Sequence, residues 1–301
     1  MTAHRDTVRY SSFSFEFTLA DKQKQRKSKG NPKMANANCW QDDKDYDYKE
    51  LVNALNQYLR LRTTPVGMKR FHSADELAGI PRLRRIAPGE KLATDQIVGQ
   101  SRWLGYTIGF TMENLVGSQC GAVVGLHPRD QEFLSGNAFN GVWYGNIASS
   151  ADHQREMACA SYGEYEALVT SPLTSGRIDN PDICLIYGTP GQMITLMNGL
   201  QYRDYKKYNF SCVGESACAD SWGNALRTGE PSLSIPCYAE RKFGGVQDDE
   251  LLIALPPSFL PKIVEGLAAL SRNGLRYPIP NHGLDKSPLA SMEQSYGPKG
   301  S

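Results

Sequence analysis

The stretch from Asp182 to Leu200, DICLIYGTPGQMITLMNGL, decides the fold class. Ile183 to Tyr187 is an unbroken apolar run of strand length. Gly188 interrupts it. Thr189 is placed to cap a helix, and Pro190 falls at its first position, where a missing N–H costs nothing. Met193, Leu196, Met197 and Leu200 then recur at helical spacing, a stripe best read as core. A strand is thus followed directly by a helix.

The same reading extends to both sides. Residues 45–61 form an amphipathic helix capped by Asp45 or Asp47 and stopped at Thr64-Pro65, because a residue before proline avoids the helical region. Further helices are expected at 93–104, 150–162 (with Asp152 near its start), 216–227 (closed by Gly229) and 257–270. A turn over 113–125 opens into a short helix. Strands are expected at 66–71, 106–111, 167–170, 208–213, 232–235 and 250–255. Helices and strands intermix without strict alternation. The expectation is therefore α+β: a single mixed-sheet domain with flanking helices over residues 44–272.

Composition excludes several classes. The chain has 301 residues, 40% hydrophobic and 22% charged, which is ordinary for a globular protein and excludes collagen, a coiled coil and a wholly disordered chain. No apolar run approaches the ~18–20 residues of a membrane span, so no membrane partner is expected. Residues 1–33 hold eight Lys and Arg against three acids, a net +5, which leaves the remainder at −4. A mildly acidic body does not suit a nucleic-acid binder. The basic residues 1–43 are expected to be a disordered extension, or the product of a start codon called ahead of Met34. The alternation of Phe13, Phe15, Phe17 and Leu19 suggests a short strand with nothing to pair with. The Pro- and Gly-rich residues 273–301 read as an arm over the surface or toward a second copy in a homo-oligomer. Seven cysteines, an odd number with no secretory signal before them, point to a reducing cytoplasm, with metal or catalytic use preferred over disulfides.

Chemistry concentrates around three of these cysteines. Cys212 would end a strand, Cys218 would lie in the first turn of the next helix, and Cys237 would follow the next strand. Strand ends and helix starts converge on one rim of a sheet, and a helix N-terminus acidifies a thiol. Cys120 lies between Gly117 and Gly121, whose backbone allows close approach. Three thiolates, Cys120, Cys218 and Cys237, would hold an iron–sulfur cluster or a zinc or iron ion and leave one position open. The competing reading makes each a small buried hydrophobe, since no CxxC pair exists. Cys184 reads as core, and Cys159, on a helix, and Cys39 as incidental. Gly188 and Thr189 begin a helix that can receive an anion, or form an ordinary strand–helix turn. Lys69, Arg102, Arg227 and Arg241 are the cations available for an anionic group, Arg241 as a bidentate clamp; solvated surface charge is the alternative for each. His127 reads as a surface-turn histidine or a ligand. No Ser/His/Asp arrangement is evident.

The chain also resembles a family, the domain of unknown function 169 family. The resemblance rests on Pro65-Val66-Gly67-Met68-Lys69, Cys120-Gly121-Ala122 with Gly125-Leu126, and Gly188-Thr189-Pro190-Gly191-Gln192-Met193 with Tyr202. It continues through Ala217-Cys218-Ala219-Asp220, the run Thr228 to Cys237, Arg241-Lys242-Phe243, and Asp249-Glu250-Leu251 with Pro256. It covers roughly residues 48–270. It implies no assigned activity, but it implies cysteines at the positions of Cys120, Cys218 and Cys237. Relatives tend to carry Cys-Gln where this chain has Asp95-Gln96. Either a fourth ligand is lost or Asp95 replaces it, and an open site follows.

The leading functional expectation is a small-molecule metabolic enzyme in which a cysteine-ligated cluster or metal acts on an anionic substrate, carboxylate-bearing or aromatic. Its chemistry would be lyase, hydratase or redox, with Cys218, Arg241, Lys69 and Arg102 in catalytic or substrate-holding roles. The alternatives are a metal-free enzyme using Cys218 or Cys237, and a ligand-binding sensor without turnover.

Overall fold

The computed structural model describes residues 46–279. Its strands are β1 (Val66–Phe71), β2 (Arg84–Arg85), β3 (Ile108–Thr111), β4 (Ala167–Pro172), β5 (Ile183–Gly188), β6 (Ser232–Ser234) and β7 (Leu251–Leu255). They form one seven-stranded sheet in the order β2-β3-β4-β1-β5-β7-β6. Only β2 and β3 run parallel; every other neighbouring pair is antiparallel, so the sheet is mixed. The helices are α1 (Tyr48–Leu59), α2 (Thr94–Leu104), α3 (Gln119–Val123), α4 (Gln131–Leu134), α5 (Ile147–Glu156), α6 (Pro190–Gln201), α7 (Asn224–Thr228), α8 (Tyr238–Lys242) and α9 (Phe259–Arg272).

The run Ile183–Gly188 is apolar throughout because both sheet faces are covered. Successive side chains of a strand point to opposite faces. Ile183, Leu185 and Tyr187 join Leu252 and Ala254 of β7 in one core, with Ile97 and Val98 of α2, Val123 of α3, and Trp222. Cys184 and Ile186 join Ile253 and Leu255 in the other. There they meet Val52, Leu55 and Leu59 of α1, Met193 and Leu196 of α6, and Ile263 and Leu267 of α9. Each such leucine, fully buried, contributes roughly 1.5–3 kcal/mol relative to exposure. The α6 methionine stripe is therefore core. At the α6–α9 crossing a Cβ on Gly266 would lie 2.0 Å from the Gly199 carbonyl oxygen, so only glycine permits the approach.

The first helix forms as its sequence dictates, with the Asp47 carboxylate accepting the Glu50 N–H at 3.0 Å. Thr189 caps α6 reciprocally with Gln192, whose side chain also donates to the Leu59 carbonyl at 2.9 Å. Three expectations are corrected. The helix expected over 150–162 is α5, which starts earlier on its Asn146 cap and ends at Glu156. Beyond it Ala158 must reach the central backbone: a Cβ on Gly223 would lie 2.0 Å from its carbonyl. Residues 208–213 form no strand: the Asp220 carboxylate takes the Val213 N–H that a ladder would need and holds the Ser211 hydroxyl beside it. The helix expected over 216–227 opens as a π turn, Ala219–Gly223, before α7, and Gly229 closes it in the left-handed region as expected. The short helices α4 and α8 fall in stretches with no helical expectation. Residues 1–45 and 280–301, including the Phe13–Leu19 alternation, Cys39, the Asp45 cap and most of the C-terminal arm, lie outside the described residues. At the start of that arm, Tyr277 lies over the N-terminus of α6, near Gly191. Among the described residues no helix is long and apolar enough to cross a membrane.

Candidate functional site

A cluster of acids gathers on the α2 face of the sheet. Asp95 sits in the first turn of α2 and Cys120 in the first turn of α3. Cys218 precedes the π turn, a helical irregularity frequent at functional sites. Cys237 is the residue before α8, and Glu240 lies within it. The backbones of α2 and the α8 turn touch: a Cβ on Gly99 would lie 2.6 Å from the Gly244 oxygen. That contact brings Asp95 beside Glu240.

The Cys218 thiol donates to Cys120 Sγ at 3.5 Å, and the Cys120 thiol to Asp95 Oδ2 at 3.5 Å. Residues distant in sequence thus form a string, Cys218–Cys120–Asp95. Cys237 lies at its flank, where its thiol interacts with the carboxylates of Glu215 and Glu240. The three sulfurs expected at one point are realised as a contacting pair and a third thiol set among carboxylates. Among the described residues no three His, Cys, Asp or Glu side chains already encircle one point as metal ligands would. The six cysteines described are all free.

Electrostatics follow from burial among like groups. Burial raises Asp95 to about 6, against the opposing hydrogen bond from Cys120. Burial, reinforced by Asp95, raises Glu240 to about 8. For Cys120 the Cys218 hydrogen bond acts downward, but desolvation and the nearby Asp95 and Glu240 outweigh it and carry the thiol to about 11. Cys218 is pushed well up by its bond to Cys120 and by burial, and Cys237 by burial and Glu240. Glu215, only half-buried, is raised by desolvation and partly restored by the Ser216 and Tyr238 N–H groups. The neighbours acting on these groups are carboxyls and thiols, apart from His153 beside Glu215. Asp95 Oδ1 and Glu240 Oε1 are buried without a hydrogen-bond partner. Ser216 beside them holds a left-handed φ of 59°, a backbone strain typical of functional sites.

The cations expected to hold an anion are elsewhere. Lys69, on β1, donates to the Asp179 carbonyl at 2.8 Å. Arg241 pairs with Asp248. Arg227 reaches Asn224 beside it on α7. Arg102 is sealed in the interior, 2.5 Å from Glu250 and over the Tyr187 ring. Gly188 and Thr189 start a helix whose capping box uses the Thr189 and Gln192 N–H groups. His127 bonds the neighbouring Pro128 carbonyl. Cys184 is core, as expected, and Cys159 lies past the end of α5 rather than on it. Sequence reasoning missed Glu240, Glu215 and Glu250. Glu240 carries a signal in retrospect, a carboxylate three residues after Cys237, where it accepts the Cys237 N–H at 2.9 Å.

The donor set, two thiols and a carboxylate with further buried carboxylates beside them, fits a zinc or iron ion in its chemistry. It does not fit a four-cysteine cluster, since the position expected for a fourth cysteine is Asp95, which has joined the string.

Comparison with known proteins returns the same family. The chain is 27% identical over 88 residues to the uncharacterized protein MJ0308 of Methanocaldococcus jannaschii; the match covers 29% of this chain and 38% of that protein. No solved structure matches with significance. The family model of DUF169, described as uncharacterised ArCR, matches residues 54–266, which contain every member of the cluster. On that match the chain belongs to the DUF169 family.

Proposed function

We propose that this chain is a small-molecule enzyme whose buried cluster holds a thiophilic divalent cation through Cys120, Cys218 and Asp95. The observation that carries the reading is the cluster's sign: acids buried together, with Asp95 Oδ1 and Glu240 Oε1 unpartnered. Such a group is stabilised only by protons or by a cation. When bound, zinc or iron would supply Lewis-acid polarisation of a substrate oxygen, which suits lyase or hydratase chemistry, and iron would admit redox chemistry. Glu240 is placed to hold a proton at Oε1, and half-buried Glu215 to pass one between the cluster and solvent. Six free cysteines support a reducing intracellular setting for the same reading.

The test is metal and sulfide analysis of protein purified without oxygen. The expected result is about one equivalent of zinc or iron, lost in Cys120→Ser and Cys218→Ser variants that remain folded. Metal-free protein that also fails to take up added zinc or iron would overturn it.

A second reading is a metal-free thiol enzyme, favoured by the string itself. Cys218, Cys120 and Asp95 are linked by thiol hydrogen bonds along which a proton can pass. Rapid inactivation of the chelated protein by a thiol alkylator, abolished in Cys120→Ser, supports that alternative.

A further inference from the structure

A solvent-open pocket of about 600 Å³ has no cysteine in its lining, which consists of Arg62, Trp103, Val246, Gln247, Asp248 and Asp249. Its parts come from three places: the segment after α1, the end of α2, and the turn between α8 and β7. Trp103 is 42% exposed. Its ring is held from beneath by the Arg102 guanidinium at 4.7 Å and edged by Gly245. Arg102 in turn is fixed by Glu250 at 2.5 Å and by the Thr63 hydroxyl at 2.7 Å. The aromatic face is therefore rigidly presented to the pocket.

The charges on the rim come in opposite pairs. Arg62 meets Asp249 through two bonds, at 2.9 and 3.2 Å, and Asp248 is paired with Arg241. The Arg62 and Asp249 side chains are 43% and 56% exposed, so solvent screens their mutual attraction. A ligand can therefore displace it. A simple anion on Arg62 would leave Asp248 and Asp249 facing it. A simple cation on Asp249 would face Arg62. A ligand carrying both charges on adjacent atoms satisfies both partners.

We propose that this pocket binds a zwitterionic α-amino acid with an apolar or aromatic side chain: its carboxylate on Arg62, its ammonium on Asp249 and its side chain on Trp103. Bidentate pairing of guanidinium with carboxylate and ring contact with Trp103 supply orientation. The site does not rest on the cluster's cation, and chelated protein serves for its test.

Titration calorimetry on chelated full-length protein with three probes decides the matter. L-phenylalanine is expected to bind at least tenfold more tightly than phenylacetate or phenethylamine, each of which lacks one charge. Arg62→Gln and Trp103→Leu are expected to weaken phenylalanine tenfold or more, and Asp249→Asn to bring phenylalanine down to the level of phenylacetate. Circular dichroism establishes that each variant is folded; the substituted side chains are at least partly exposed. Phenylalanine binding no tighter than either single-charge probe, binding unchanged in folded Trp103→Leu, or no binding at millimolar concentration would overturn the proposal.

Discussion

Arg102 and Glu250 form a pair with side chains 0% and 1% exposed, and the Arg102 guanidinium also stacks on Tyr187 and Trp103. Breaking it leaves the buried Glu250 carboxylate with only the half-exposed Arg62 guanidinium, 3.7 Å away, as counter-charge. Arg102→Gln is expected to cost about 3–5 kcal/mol, read from urea denaturation; a loss below about 1 kcal/mol would show that the pair is not closed to water. Glu240 behaves differently. Its carboxyl is raised by burial to about 8, so the folded state binds its proton more tightly than the unfolded state. In chelated protein that contribution to stability is complete below the ordinary glutamate range and is lost as pH rises through about 8. Denaturation midpoints of chelated wild type are expected to fall across that window, with a flatter profile in Glu240→Gln. Parallel profiles would remove Glu240 from the cluster's proton balance.

At the scale of elements, the α6–α9 crossing depends on two backbones meeting. A methyl group on Gly266 would have to share space with the Gly199 carbonyl, with no flexible side chain to yield. Gly266→Ala is expected to destabilise by about 1–3 kcal/mol or more, whereas Gly79→Ala, with nothing within 4 Å of its new atom, is expected to change stability by less than about 0.5 kcal/mol. Equal effects in thermal melts would contradict the close approach. The π turn belongs to the same scale. It follows Cys218 directly and holds Gly223 against Ala158, so the cysteine's position is set by packing on both sides of it.

For the whole molecule, a cation bound only by the folded chain adds stability by mass action. Zinc or iron at 100 times its Kd is expected to add about 2.7 kcal/mol. That corresponds to a rise of about 4–6 °C in Tm for a chain of this size. Chelation should reverse it. A Tm that metal leaves unmoved in wild type would count against the proposed cation. The cluster draws on α2, α3, the π turn and α8, so the stabilisation should spread to all four in hydrogen exchange.

The seven-stranded sheet was largely legible because its signals are local. An apolar run such as Ile183–Tyr187, a cap such as Asp47 or Thr189, and a break such as Gly229 act through near neighbours. The errors arose where a distant group outbid the local one. Asp220 takes the Val213 N–H from a strand, and Gly223 calls Ala158 out of helix. Cys120, Cys218 and Cys237 could be singled out as residue types at turns, and Asp95 as the departure from a familial cysteine. The contact of two sulfurs across 98 residues could not be read from spacing, nor could the placing of Glu215 and Glu240 beside the third thiol. By itself the sequence determined which segments are strand or helix and which residues carry reactive groups, since backbone propensity and side-chain chemistry are local properties. Tertiary structure alone decided that the acids share one desolvated place while the expected cations engage other partners, because burial and charge are set by whatever packs alongside.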